Sequence, residues 1–389
     1  MIDIESAIQK VTKSKIFTDC VHKEITQVLG YYLAQDVISP MNMPPFSQSA
    51  MDGYAICGEL ETYCLVGEIK AGDTHTFKLK NGEAYRIFTG AMIPENTTSI
   101  AKQEIVIKHK DKIALTEKVK IGMSIRLESE ELTKGDVVLK KGTKINPAAI
   151  GLLTGLGLQE IEVYEKPKIT VIVTGSELTK AGLPLEKGKI YESNSNTIQS
   201  ALLENGFESN VKWVKDDYQS TFNLINSAIK NNNVVIMTGG ISVGDYDFVG
   251  KALNEIGVNQ KFYKVNQKPG KPIYYGEKNN TKVFALPGNP AAALTCFYVY
   301  VLTALKVMIG SQNPQLTQTK AVINHSHLKK GDRAHLLKAQ VNQNTVTVHT
   351  GQSSAMLSSF VDANCLIHLK SDVNQVNQGE TVNVLMLPK

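Results

Sequence analysis

Apolar side chains at Ile4, Ala7, Ile8 and Val11 recur at the spacing of one helical face, so the chain opens on an amphipathic helix. The rest of residues 1–41 reads mainly as helix, up to the strand-like LAQDVISP. A loop carrying Pro and Met follows, NMPPFSQSAMDGYA, and leads into a strand. Between Tyr63 and Leu139 the pattern shortens and alternates: YCLVGEI, FKLK, YRIF, SIAKQEIVIK, KIALTEKVK and VVLKKG, with turn residues between. Period-2 runs of this length predict an all-β insert. Asn146–Gly155 (NPAAIGLLTG) predicts a helix, and Glu160–Tyr164 a return to the partners of the first segment.

From Lys168 the rhythm changes to strand, loop, helix. The strands are ITVIVT (169–174), VKWV, VVIMT (234–238) and VFALP (283–287), with helical stretches over Thr197–Glu204 and Tyr218–Lys230. Such alternation predicts a doubly wound, parallel α/β sheet. Ala291–Leu305 is the longest apolar run, entered through Asn289-Pro290, a good N-cap and first-turn pair. After the polar linker SQNPQLTQT come only short strands, so the tail predicts a small, barrel-like β domain.

Length and charge narrow the class. At 389 residues, 42% hydrophobic and 20% charged, the chain suits two to four globular domains. A formal charge of +5 with no basic block does not imply nucleic acid. Five scattered cysteines form no CxxC pair and point to buried thiols in a reducing compartment. MIDIESAIQK has no signal-peptide character, and the apolar run of 15 residues falls short of the ~20 of a membrane span. A cytoplasmic protein is expected. GxxxxGK[ST], HExxH, GxSxG and a GxGxxG opening a helix are all absent, and the eight histidines show no paired metal spacing.

Candidate chemistry gathers at strand ends. Three strands run into loops of glycine and small polar residues: Gly175-Ser176-Glu177, Gly239-Gly240-Ile241-Ser242-Val243-Gly244-Asp245, and Pro287-Gly288-Asn289-Pro290. Ligands of open parallel sheets sit at the carboxyl ends of strands, where glycine lets backbone N–H groups approach an anion. Each loop alone fits a plain tight turn; three in one sheet favour one composite anion site. Glu177, Asp245 and Asp247 would be repelled by a phosphate unless a cation such as Mg²⁺ lay between, although a helix-capping role fits Glu177 or Asp245 as well. Lys268-Pro269-Gly270-Lys271-Pro272 braces two ammonium groups with prolines, as an oxyanion site requires. Asp52, in SAMDGYA, and Thr89, after YRIF, are weak signals alone. Ser353, Ser354, Ser358 and Ser359 form a hydroxyl-rich patch that fits either oxyanion binding or ordinary surface.

Taken together, PPFSQSAMDGYA, RIFTGAMIP, VTGSEL, TGGISVGDYDFV, QKPGKPIYYG, LPGNPAAAL and SSAMLSSFVDANCL resemble the MoeA family, in its order and over nearly the whole chain. The resemblance implies a molybdopterin molybdotransferase: adenylylated molybdopterin and molybdate become molybdenum cofactor and AMP, with Mg²⁺. It implies a four-part subunit, with residues 1–41 plus 141–167 as a mixed N-terminal part and 42–140 as the β insert. Residues 168–312 would be the molybdopterin-binding α/β domain and 313–389 the C-terminal β domain. An elongated homodimer is implied, its active site between the α/β unit of one subunit and the β insert of its partner.

By motif, Asp52 and Thr89 would enter from the partner, and Glu177, Asp245 and Asp247 would manage Mg²⁺ and the adenylyl phosphate. Lys268 and Lys271 would hold the oxyanion. Gly175, Ser176, Gly239, Gly240, Ser242, Gly244, Pro287, Gly288, Asn289 and Pro290 would shape the pocket, and Lys338, Ser358 and Ser359 would complete the oxyanion site. The family pattern also differs here. Ser129 and Glu131 stand for a Gly and an Asp, Ser176-Glu177 for Asp-Glu, and Lys338 for an arginine, with Arg333 matching another. A molybdopterin adenylyltransferase and apo-molybdoenzymes are implied partners, with no nucleic acid or membrane. A non-catalytic molybdopterin carrier and the adenylyltransferase reaction itself are the alternatives.

Overall fold

Asp3 starts the first helix, α1 (Ile4–Thr12), by accepting a hydrogen bond from the Ser6 N–H at 2.6 Å. Ile4, Ala7 and Val11 are buried along its inner face, as their spacing predicts. The expected continuation of helix through residue 41 is not found. Cys20–Glu24 forms a strand, Ile25–Gln27 one 3₁₀ turn and Val37–Ile38 a short strand. Ile16, Thr18, Val21 and Ile25 are β-branched and resist helical packing, and residues 20–24 alternate in exposure as a half-buried strand does.

The computed structural model describes residues 1–214, 217–241 and 248–388. They form two compact units: Gln35–Lys141 with Pro147–Ile161, and Met1–Ala34 with Gly142–Asn146 and Glu162–Lys389. In the larger unit a six-stranded sheet comprises β1 (Ile169–Thr174), β2 (Asn210–Val214), β3 (Val234–Thr238), β4 (Asn259–Tyr263), β5 (Tyr274–Lys278) and β6 (Thr281–Leu286). Its order is β2-β1-β3-β6-β5-β4. β2, β1, β3 and β6 run parallel, as predicted. The last two are antiparallel, which the sequence pattern did not reveal. The cause is the tight Asn279-Asn280 turn, with Asn279 at a φ of 52°, which folds β5 back on β6 as a hairpin.

Alternate residues of the central strands bury against opposite layers. Ile172, Val235, Met237, Val283 and Ala285 pack with α3 (Tyr218–Asn231) and α4 (Phe248–Ile256). Val171, Val234, Ile236, Phe284 and Leu286 pack with α1, α2 (Asn194–Glu204) and α5 (Pro290–Met308). The apolar run is thus part of a longer helix than expected, 19 residues, with a π-helical turn over Phe297–Val301. It is long enough to cross a bilayer by length, yet 94% of its apolar window is buried within the protein. Its surroundings are protein on every side.

The tail of the same unit closes into a barrel. Ala334–Asn342, Thr345–Val348, Gln318–Ile323, Thr381–Met386 and Cys365–Leu369 follow one another around it, and Ala334–Asn342 pairs with Cys365–Leu369 to shut the ring. Full closure leaves no free edge among these five strands.

The smaller unit is built on a second six-stranded sheet, over Gly53–Ile56, Thr62–Ile69, Glu83–Ile87, Ser99–Lys102, Val106–His109 and Lys112–Leu115. FKLK contributes one isolated bridge, Lys78 to Glu95, and no strand. Ser129 takes a φ of 63°, in the left-handed region that favours glycine. A β-carbon there costs on the order of 1 kcal/mol. Ser129→Gly should therefore raise stability by about 0.5–1 kcal/mol, measured by denaturant unfolding; a loss of stability would contradict the strain.

Candidate active site

β1, β3 and β6 end side by side, and their loops form one floor. A β-carbon on Gly239 would lie 2.8 Å from the Thr174 carbonyl oxygen, and one on Gly288 4.0 Å from the Gly239 Cα. Gly239 and Gly240 have φ of 89° and 64°. Gly239 lets the ends of β1 and β3 converge, since a β-carbon there would meet the Thr174 carbonyl, whereas the end of β6 packs at ordinary contact distance. The result is a cleft of about 620 Å³. Thr174, Glu177, Thr238, Gly239, Gly240, Pro287, Gly288, Asn289 and Pro290 all line it, so the described parts of the three loops face one space, while Gly175 and Ser176 are not among its lining residues.

Two residues that sequence reasoning missed close the cleft. Asn194, at the start of α2, donates to the Gly288 carbonyl at 2.7 Å, while its own Oδ1 is buried without a partner. Glu192 is buried and accepts from the Ser195 N–H at 2.8 Å and hydroxyl at 2.6 Å. The signal lay in ESNSNT, a polar run opening a helix, which reads as capping alone. Asn289 stands at the N-cap position of α5, as predicted, but its amide turns to the Ser354 hydroxyl at 2.8 Å instead of capping. The Ser354 carbonyl in turn accepts from the Ala292 N–H at 3.1 Å, tying the seryl loop to the helix start. Ser359 donates to the Gly351 and Met356 carbonyls, while Ser358 is exposed.

The lysine pair is divided. Pro272 lines the cleft, beside the exposed Lys271. Lys268 pairs with His335 of the barrel in a short parallel ladder and lines a separate hollow with His327, Lys330 and His335. Burial and the nearby charges of Lys268 and Lys329 push His335 down to about 4, so its ring is neutral at pH 7. Buried Gln267 anchors the loop from beneath. Its amide donates to the Pro269 carbonyl at 2.9 Å and the Gly270 carbonyl at 3.3 Å, and its oxygen accepts from the Tyr300 hydroxyl of α5.

Lys338 does not present its ammonium to a ligand. It is 1% exposed and donates to the carbonyls of Gly351, Ser353 and Met356, which takes up all three N–H groups. Its part is to hold the loop that carries Ser354 and Ala355 to the cleft.

In the smaller unit the structure unites two weak signals. The Thr89 N–H and hydroxyl both donate to Asp52 Oδ1, at 2.8 and 2.7 Å. These bonds, the backbone one foremost, and the Arg86 charge hold the Asp52 carboxyl below its ordinary range. Arg86 is fixed by the Gly53 carbonyl at 2.8 Å and stands over the rings of Tyr54 and Phe88. Ser242, Gly244, Asp245 and Asp247 lie outside the described residues. Of the three acidic residues assigned to Mg²⁺, Glu177 alone is described, exposed at the cleft. No group of three metal-ligating side chains occurs among the described residues.

Residues 2–157 match the MoeA N-terminal region (domain I and II), residues 170–307 a family described as "Probable molybdopterin binding domain", and residues 320–387 the MoeA C-terminal region (domain IV). The chain belongs to the MoeA family. A Haemophilus influenzae protein named molybdopterin molybdenumtransferase is 33% identical, over 99% of this chain and 98% of its own. A Staphylococcus aureus protein of the same name is 30% identical, over 99% and 95%. A solved molybdopterin biosynthesis MoeA protein from Pyrococcus horikoshii superposes with a TM-score of 0.86 at 28% identity, each chain covered in full. The MoeA matches bracket the cleft, which falls within the molybdopterin-binding match apart from Ala355.

Two outcomes follow for this MoeA chain. Gln267→Leu should strand the Tyr300 hydroxyl and two carbonyls and lower stability by roughly 2–4 kcal/mol in denaturant unfolding; a loss under about 1 kcal/mol would show that the loop is held otherwise. Thr89→Val removes one of two bonds to Asp52. Its carboxyl should titrate at higher pH than in the parent, yet still below the ordinary value, by carbon NMR.

Proposed function

We propose that the protein inserts molybdate into adenylylated molybdopterin, releasing AMP and forming molybdenum cofactor, as a Mg²⁺-dependent cytoplasmic homodimer. The observation that carries this reading is the single cleft floored by Thr174, Gly239 and Gly288. Backbone N–H groups at adjacent strand ends suit a ligand bearing a phosphate and further negative charge. Full-length similarity to proteins named molybdopterin molybdenumtransferase supports the reaction class.

Glu177 supplies the hard oxygen donor that Mg²⁺ prefers, and such an ion keeps most of its waters, so few protein ligands suffice. Asp245 and Asp247 are the further candidates. When bound, the ion would offset the repulsion between the carboxylates and the adenylyl phosphate. A dithiolate and a tetraoxo dianion repel one another, and nearby cationic side chains lower that barrier. Lys271, beside the cleft-lining Pro272, serves the reacting end. Lys268, in its basic hollow with Lys330, collects the incoming oxyanion. Thr89 stabilises the charged form of Asp52 and holds its carboxyl below the ordinary range, which suits it as a fixed acceptor instead of a proton store. Ser176, Ser358 and Ser359 are proposed to complete the polar lining, and Gly175 to give Glu177 room to turn back. The four-part subunit division is part of the same reading.

A single-turnover assay with adenylylated molybdopterin tests the reading. AMP should appear only when molybdate is added, and Lys271→Ala and Asp52→Asn should each slow it by about 100-fold or more while remaining folded. Molybdate-independent AMP release, ATP consumption, or parental rates in both variants would overturn it.

A further inference from the structure

A second hollow, of about 340 Å³, lies in the larger unit and shares no lining residue with the cleft. Tyr31, Tyr32, Tyr164 and Phe207 supply aromatic walls, and Lys144, Lys166 and Lys306 line the same space. None of the three lysines enters an ion pair found among the described residues. Lys166 stands 4.7 Å from the centroid of the Tyr31 ring, and Lys23 approaches that ring at 5.5 Å. The Lys166 and Lys306 ammonium groups are depressed by burial first, and the Lys144 charge adds to both effects. Glu204 lines the hollow too and accepts from Tyr298, while Glu208 only partly offsets the charge at Lys166.

Lys166 and Lys306 are half-buried and Lys144 is exposed, whereas two lysines of the barrel are buried and held by backbone. Lys329 donates to three carbonyls, of Gly331, Arg333 and Ser371, and Lys338 to three more. Lys282, buried with its ammonium unpartnered among the described residues, shows that burial alone does not secure such donation. Lys306 gains from the C-terminal end of α5, whose last turn it occupies, and Lys166 from the face of the Tyr31 ring, while Lys144 is exposed. Gathering like charges around one cavity costs free energy that a bound dianion would reverse.

We propose that this hollow binds a tetrahedral oxyanion, free or as the phosphate of a small ring-bearing ester, at a site distinct from the cleft. The ammonium groups hold the oxyanion, and the tyrosine and phenylalanine faces receive an attached ring.

Titration of the full-length protein, followed through the amide resonances of Gly30 and Gly206, reads this hollow directly, since both line it. The probes are inorganic phosphate, molybdate and AMP. Saturable shifts are expected, weakened about tenfold or more in Lys166→Met and Lys306→Met and restored in Lys166→Arg. Equal affinity for phosphate and AMP assigns the site to the free ion; tighter AMP binding assigns it to the ester. No saturable shift with any probe, or unchanged affinity in both methionine variants, overturns the proposal. Should a methionine variant unfold, the parent titration alone still decides, because the absence of shifts there is sufficient to refute it.

Discussion

The larger unit depends on the need to enclose α5. An apolar helix of 19 residues with no polar face cannot lie on a surface, so other layers must wrap it. One core cluster does so, joining Ile4, Ala7 and Val11 of α1, Val171, Phe284 and Leu286 of the sheet, and Leu336, Leu366 and Leu385 of the barrel to residues 291–309. Each fully buried side chain contributes roughly 1.5–3 kcal/mol relative to exposure. The enclosure sets positions as well as stability. Pro290 enters the cleft, Cys296 and Tyr300 meet the Gln267 anchor under the lysine loop, and Lys306 reaches the second hollow.

Chemistry on this frame is arranged by backbone more than by side-chain charge. The described lining of the cleft contains Glu177 and Glu192 but no lysine or arginine. Attraction for an anion must come from N–H groups at strand ends, from a cation, or from Lys271 at its margin. Basic side chains line two other hollows instead, one with Lys268 and Lys330, the other with Lys144, Lys166 and Lys306.

Much of this was legible in the chain. β1 and β3 stand where ITVIVT and VVIMT put them, because strands buried on both faces read as unbroken β-branched runs. The strand-end loops converge as glycine placement implied. What stayed hidden has physical causes. The Asn279-Asn280 hairpin lacks glycine, so its reversal was not visible, and β4, paired to β5, was missed with it. Proline spacing suggested that Lys268 and Lys271 act in one space, but the ladder between Gln267-Lys268 and Ala334-His335 turns Lys268 to the barrel. Likewise, the family resemblance marked Lys338, in place of an arginine, for an oxyanion, whereas three carbonyls already occupy it. Asp52 and Thr89 lie 37 residues apart, and only the folded sheet makes them a pair.

The π-helical turn over Phe297–Val301 has a further consequence. A π turn carries one residue more than the α-helical path, and each residue advances a helix by about 100°. The widened turn absorbs that extra residue, so the helix continues beyond it in phase, and Pro290 and Lys306 keep the bearings of an unbroken α-helix one residue shorter. Excising a single residue there would let the turn close to α-helical geometry and leave both ends where they are. The same excision from a flanking α-helical turn would swing Lys306 off its bearing while the cleft end stayed put. The π turn is thus the one place in this rod where its length can change without its two ends losing register.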